Sequence, residues 1–279
     1  MVRPPSRTGL FPALPPERFR LTAAQVEAFT RDGFVSGIPV LDATQLVAVR
    51  AAVDRITADL ERFEPQLYEI EAAHRQRPGE VVCHFLGGFL VDDVLHDLIW
   101  HPAATVPCAQ LLGVDRLRFW HDQVFAKPPR HPGVVPWHQD YSYWTRTAPA
   151  CHITLNVMLD DADEQNGCVH FVPGSQHWGL LPKLPFDAPV EAILPLLPAG
   201  ARWQPVAAPV RAGHATIHHS HTLHGSYGNR TDRWRRAVVL NFMGPEVRVA
   251  DGSAPLLRGV PLLPVGGVVT GEHFPIVLG

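Results

Sequence analysis

The sequence predicts a mainly β protein with flanking helices, its strands forming a sandwich or jelly roll beside a helical N-terminal part. Three observations carry this. The first hundred residues repeat apolar positions at helical spacing, whereas from about residue 114 the texture changes to short β-type runs separated by Pro, Gly, Asn and Asp. No helical pattern lies between those runs, which argues against a parallel sheet with crossover helices. At 279 residues the chain suits one large domain or two small ones, and 46% hydrophobic with 18% charged side chains is the composition of a globular protein with a real core.

The elements follow in order. Residues 1–20 (MVRPPSRTGLFPALPPERFR) are interrupted by prolines and read as a poorly ordered tail. Residues 21–113 form the mainly helical flank. There LTAAQVEAFTRDGF begins a helix with Thr22 as cap and Gln25 three later, and Gly33 stops it. A second helix starts near Asp42, with Leu46, Val49, Val53, Ile56 and Leu60 on one stripe. DDVLHDLIW and PAATVPCAQLLG continue the helical pattern. Residues 114–245 are the β core, with RLRFWHDQVFA, CHITLNVML, CVHFV, HATIHH and RAVVLNFM as strands, and Asn166 and Gly167 as a turn between two of them. Within the core, the Pro-rich stretch 181–200 (LPKLPFDAPVEAILPLLPAG) is long and irregular, the character of a lid. Residues 246–279 are a C-terminal extension, and 1–279 read as a single domain.

Composition excludes several classes of function. A net charge of −3 gives no overall attraction to nucleic acid or to an anionic membrane. The four cysteines (Cys83, Cys108, Cys151, Cys168) lack CxxC spacing, which argues against a disulfide scaffold or a zinc knuckle. No apolar run reaches about 18 residues and the N-terminus lacks the apolar stretch of a signal peptide. A soluble cytoplasmic protein acting on a small molecule is expected.

The chemistry concentrates in PWHQDYSYW, residues 136–144. Along a strand, residues two apart share a face, roughly 6.5 to 7 Å apart. His138 and Asp140 would then look the same way and Gln139 away from them. An imidazole and a carboxylate converging on one point supply two-thirds of the 2-His-1-carboxylate set that holds non-haem Fe(II). A missing histidine is available in residues 213–242, which carry His214, His218, His219, His221 and His224. Spacing alone does not say which one completes the set.

Four further pieces, KPP (127–129), PWHQD (136–140), NGCVHFVPGSQH (166–177) and LHGSYGNRTDRWRRA (223–237), resemble the phytanoyl-CoA dioxygenase family of Fe(II)- and 2-oxoglutarate-dependent oxygenases. The resemblance runs from the helical N-terminal part to DGSAPLLRGVPLLP. It implies a double-stranded β-helix, a cupin-like jelly roll, with Fe(II), 2-oxoglutarate and O2 as cofactor and co-substrates. By the same resemblance His138, Asp140 and His224 are the iron ligands, and Arg235 pairs with the distal carboxylate of 2-oxoglutarate. Ser226 bonds that carboxylate too, and Lys127 and Asn156 lie near it. His218, His219 and His221 are then packing or pocket-lining residues, and His121, His152 and His170 satisfied core or surface histidines. Tyr141, Tyr143 and Trp144 either pack the strand end or face substrate.

What the resemblance implies is hydroxylation of a small, fairly apolar metabolite, with succinate and CO2 as co-products. Halogenating relatives have Gly or Ala where this chain has Asp140, which favours hydroxylation. Two other classes remain: a cupin-like isomerase without 2-oxoglutarate, which would keep the metal ligands, and a non-catalytic jelly-roll binding protein, which has no reason to keep all three together with the arginine. Neither needs Arg235 eleven residues after His224. Strand parity places Arg236 on the face opposite Arg235, where it is expected to be an exposed charge.

Overall fold

A computed structural model describes residues 6–279. The N-terminal half runs α1 (Ala23–Asp32), β1 (Phe34–Pro39), α2 (Ala43–Ala58), α3 (Leu60–Phe63), β2 (Glu69–Ile70), α4 (Ala72–Gln76), β3 (Cys83–Leu86), α5 (Gly88–Val91), α6 (Asp93–Leu98) and α7 (Pro102–Leu112). The strands β4 (Leu117–Lys127), β5 (Val135–His138), β6 (Thr147–Ala148), β7 (His152–Met158), β8 (Val169–Phe171) and β9 (Val206–Ala208) follow. Last come β10 (His214–His219), β11 (His224–Ser226), β12 (Arg235–Met243), β13 (Arg248–Val249) and β14 (Ile276–Leu278).

Local signals set the first helices. Thr22 and Asp42 cap α1 and α2, each with a capping box closed by the glutamine three residues on, Gln25 and Gln45. Gly33 ends α1 in the left-handed region at φ 82°, where a side chain would be strained. The predicted stripe of α2 is buried at Val49, Val53 and Ile56, and Leu60 falls beyond a break at Asp59.

Two antiparallel sheets make the jelly roll. The larger has the order β1-β10-β7-β12-β4-β3-β2, with β14 also on β4, and the smaller has the order β5-β11-β8-β9. The helical flank is thus not purely helical: it lends β1, β2 and β3 to the large sheet, β1 pairing with β10 and β3 with β4. The C-terminal extension also joins that sheet through β14 and buries Phe274 and Val269.

The large sheet is sided. On β7, Ile153, Leu155 and Val157 join the core shared with Val49, Val53 and Ile56 of α2, while Thr154 and Asn156 face a cleft between the sheets. On β12, Val238 and Leu240 face the helices and Arg235 and Val239 the cleft. Arg236 lies on the helix side as parity requires, but it is not a free surface charge. It donates from its backbone N–H, Nε and Nη2 to Asp160, and from Nη1 to Asp54 of α2.

The tail expected over 1–20 falls partly outside the described residues. Residues 6–20 are held: the Asp97 carboxylate accepts from the Ser6 and Thr8 hydroxyls and from the backbone N–H groups of Arg7 and Thr8, and Phe11 is buried. That anchor lies some ninety residues away in the chain.

Two outcomes follow. Asp97→Ala should lower stability by about 1–3 kcal/mol and speed amide exchange through residues 6–20. Unchanged exchange there would contradict the anchoring. Arg236→Ala should cost about 1–3 kcal/mol in chemical denaturation, since it takes from the largely buried Asp160 both hydrogen bonds of the Arg236 guanidinium and leaves it only the backbone N–H of residue 236 and Arg50 at 3.6 Å. A loss under about 0.5 kcal/mol would return Arg236 to the status of a solvated charge.

Candidate metal centre

Strand pairing builds the centre. β5 and β11 run antiparallel with His138 directly opposite His224, so the two rings share a face, with centroids 4.2 Å apart. Each ring is fixed through Nδ1, which lies 2.8 Å from the Pro136 carbonyl in His138 and 3.0 Å from the Thr222 carbonyl in His224. With Nδ1–H donating to these carbonyls, both Nε2 lone pairs are left free for a metal. The pleat does not carry Asp140, as a continuous strand would have. β5 ends at His138, and Asp140 opens a short 3-10 turn, Asp140–Tyr143, which swings its carboxylate back between the imidazoles.

Asp140 Oδ1 lies 3.4 Å from His138 Nε2 and 3.6 Å from His224 Nε2. One donor atom from each of His138, Asp140 and His224 lies within 4.8 Å of the others. Burial works against the Asp140 charge. The neighbouring His224, His138 and His218 side chains outweigh it and hold the carboxyl well below its usual range. Burial, then His138 and His218, pull His224 well below the usual histidine range, so its ring is neutral. An anionic carboxylate beside an unprotonated imidazole suits a dication.

The expected co-substrate residues sit on the same cleft, whose empty space, its open mouth included, is about 450 Å³. Arg235, Ser226 and Asn156 line it together with Phe125, Val135 and Val239. Arg235 is only 2% exposed, its Nε has no hydrogen-bond partner among the described residues, and burial draws it down to about 10, still charged at neutral pH. The Asn156 Oδ1 is likewise buried without a partner. Lys127, opposite Arg235 across the β4–β12 ladder, stands behind the cleft: its Nζ donates to Ser226 Oγ at 2.8 Å and to the Tyr227 carbonyl at 2.6 Å. Burial, then Arg235, pull Lys127 well below its usual range. A buried guanidinium with nothing to pair with is a site for an anion.

Gln139 faces away, as expected, its amide donating to the Gly179 and His221 carbonyls and accepting from Leu181 N–H. Tyr141 stacks on His221, and Trp144 is buried against His121 and His152. Tyr143 stands edge-on to His138, ring centroids 5.6 Å apart, and is part-exposed. Asn166 Oδ1 accepts from Asp163 N–H, and Gly167 sits at φ 82° with no room for a Cβ beneath the Tyr227 carbonyl. His219 and His221 lie outside the ligand cluster.

Sequence reasoning missed Thr154, Gln123 and the contact made by His218. Thr154 and His218 both touch Asp140, and Gln123, on β4, lines the cleft. The available signal was the period-2 alternation of β7 and β10, which puts Thr154 on the face of Asn156.

The chain is similar to known proteins in both sequence and fold. The sequence profile of the phytanoyl-CoA dioxygenase family matches residues 29–237. Phytanoyl-CoA dioxygenase domain-containing protein 1 of Mus musculus is 25% identical over 262 residues, covering 80% of this chain and 90% of that one. L-proline trans-4-hydroxylase of Streptomyces griseoviridis is 29% identical over 157 residues, 55% of this chain and 54% of that one. The structure of the epimerase SnoN in complex with Fe3+, alpha ketoglutarate and nogalamycin RO matches at a TM-score of 0.70 and 25% identity, covering 91% and 97% of the two chains. With a jelly roll, a convergent His–Asp–His set and a family match over most of its length, the chain belongs to the phytanoyl-CoA dioxygenase family and is an iron- and 2-oxoglutarate-dependent oxygenase.

Proposed function

We propose that this oxygenase hydroxylates a small, fairly apolar metabolite, with His138, Asp140 and His224 holding the iron and Arg235 holding 2-oxoglutarate. The observation that carries this is the pairing of two features in one cleft. Three metal donors converge at its floor, and beside them lies a buried arginine whose Nε has no partner among the described residues. An isomerase that does not use 2-oxoglutarate has no use for that arginine, and leaving it unpaired would be costly. When bound, iron(II) with 2-oxoglutarate and O2 supplies the oxidation, in which R–H, 2-oxoglutarate and O2 become R–OH, succinate and CO2.

The chain's own residues bind and orient. Arg235 offers a planar fork to the far carboxylate of the co-substrate. Ser226 accepts from Lys127, which leaves its own hydroxyl hydrogen to donate to that carboxylate. Lys127 therefore acts through Ser226, and Asn156 presents to the same space a side-chain oxygen with no partner among the described residues. Phe125, Val135, Val169 and Val239 line the remainder of the cleft and favour an apolar substrate body. The four cysteines are free, which fits a reducing cytoplasm.

Part of the 181–200 segment serves as the lid. Its distal half is anchored, with Ile193 and Leu197 packed near Trp137 behind the small sheet. Residues 183–187 lie beside the cleft wall: Phe186 stacks on His84 and on Phe125, which lines the cleft, Leu184 accepts from the Tyr143 hydroxyl, and Asp187 pairs with Arg77. These contacts are few and mostly exposed, so this stretch opens at low cost.

The defining test is succinate release that requires both Fe(II) and O2, with a substrate gaining one oxygen by mass spectrometry. Asp140→Ala should lose iron and turnover together, and near-normal turnover would rule out the proposed ligand set. Arg235→Ala should weaken anaerobic 2-oxoglutarate binding by about 10-fold to 1000-fold, Arg235→Lys recovering only part. Equal affinity in Arg235→Ala would remove the arginine from the site. Phe186→Ala should speed proteolysis at 183–187 and raise the substrate KM more than it changes kcat; identical cleavage with and without ligands would argue against a lid.

A further inference from the structure

The two oxygens of Asp140 are not equivalent. Oδ2 lies 2.5 Å from Thr154 Oγ1 and 3.0 Å from His218 Nε2, while Oδ1 faces the Nε2 atoms of His138 and His224. Thr154 and His218 are register partners on β7 and β10. The row continues across the sheet, for Thr154 also pairs with Asn241 of β12, and Asn241 with His121 of β4. Four polar side chains thus stand side by side on four adjacent strands, all buried.

Hydrogen counting orders the row. Thr154 Oγ1 lies 2.5 Å from Asp140 Oδ2 and 2.9 Å from the amide of Asn241, and its single hydrogen cannot serve both. The shorter contact, to an anion, takes it. Asn241 must then turn its NH2 toward Thr154 and its oxygen toward His121 Nδ1, 3.2 Å away, which donates. Every hydrogen in the row now points toward the carboxylate: His121 to Asn241, Asn241 to Thr154, Thr154 to Asp140, with His218 donating from the other side.

We infer that Thr154 and His218 are positioning residues that make Asp140 a one-oxygen ligand, holding Oδ2 back and presenting Oδ1 to the metal. The inference rests on the reading of His138, Asp140 and His224 as the metal site. Two donors already occupy Oδ2, at 2.5 Å and 3.0 Å, so turning it toward a metal would cost both hydrogen bonds, whereas Oδ1 is free to bind. His218 is not itself among the atoms that converge on the site.

Cobalt(II) binding to the full-length protein, without 2-oxoglutarate, tests this apart from turnover. Thr154→Val, a near-isosteric change, and His218→Leu should each weaken Co(II) binding by about 10-fold to 100-fold, and the pair should alter the visible d–d spectrum as the carboxylate turns to chelate. Thr154→Ser and His218→Gln keep a donor and should stay within about threefold of the parent. Parent-like affinity and spectrum in both donor-free variants would overturn the inference while leaving the metal site standing. A His218→Gln protein as weak as His218→Leu would overturn it too, by making His218 a ligand. Asp140→Ala is the control: if it binds Co(II) like the parent, the metal-site reading fails and the inference falls with it.

Discussion

The centre depends on the register between β5 and β11. His138 and His224 meet because they are direct cross-strand partners, and a slip of one residue would send one ring to the outer face, where Trp137 now lies under the 181–200 segment. Gly225 permits the close approach: a Cβ there would stand 3.0 Å from the Val135 carbonyl and 3.3 Å from the Trp137 Cα. A side chain would push the strands apart just where the register shifts between His224 and Ser226. The small residue between two chemically committed ones is thus itself a geometric requirement.

From that register the electrostatics follow. The anionic Asp140 leaves the floor of the cleft negative, while the buried Arg235 makes its far wall positive. The separation is maintained by strand alternation, since Arg235 and Arg236 are neighbours with opposite surroundings. Arg235 faces the cleft with its Nε unpartnered among the described residues, whereas Arg236 is tied to Asp160 and Asp54 on the helix side. One strand therefore supplies a binding charge and a structural charge from adjacent positions.

What could be read from the sequence was whatever is local or carried by a motif. The capping boxes at Thr22 and Asp42, the stripe of α2 and the parity of Arg235 follow from spacing, and His138, Asp140 and His224 were legible together only through the family pattern around them. The strands β1 and β3 were not legible, because FVSGIP and CHFL are short and owe their conformation to pairing with β10 and β4. The order of residues 6–20 was hidden for a similar reason, its anchor Asp97 being far away in sequence. Thr154 and His218 acquire their role from a row crossing four strands, and no linear spacing encodes such a row.

The same row explains why the helices are needed. A sheet normally gains stability from an apolar inner face, but here the inner face carries Asn156, Thr216, His218 and Arg235, each with a buried polar atom lacking a partner among the described residues. Each such atom costs roughly 1–3 kcal/mol until something binds it. The compensating burial lies on the other face, where Ile153, Leu155, Val157, Ile217, Val238 and Leu240 pack in one core with α2. At about 1.5–3 kcal/mol for each large aliphatic side chain, that face can offset a lumen left polar for its ligands. The helical flank is accordingly the hydrophobic half of a core whose other half has been given over to binding, which is why a site this polar can exist in a folded chain.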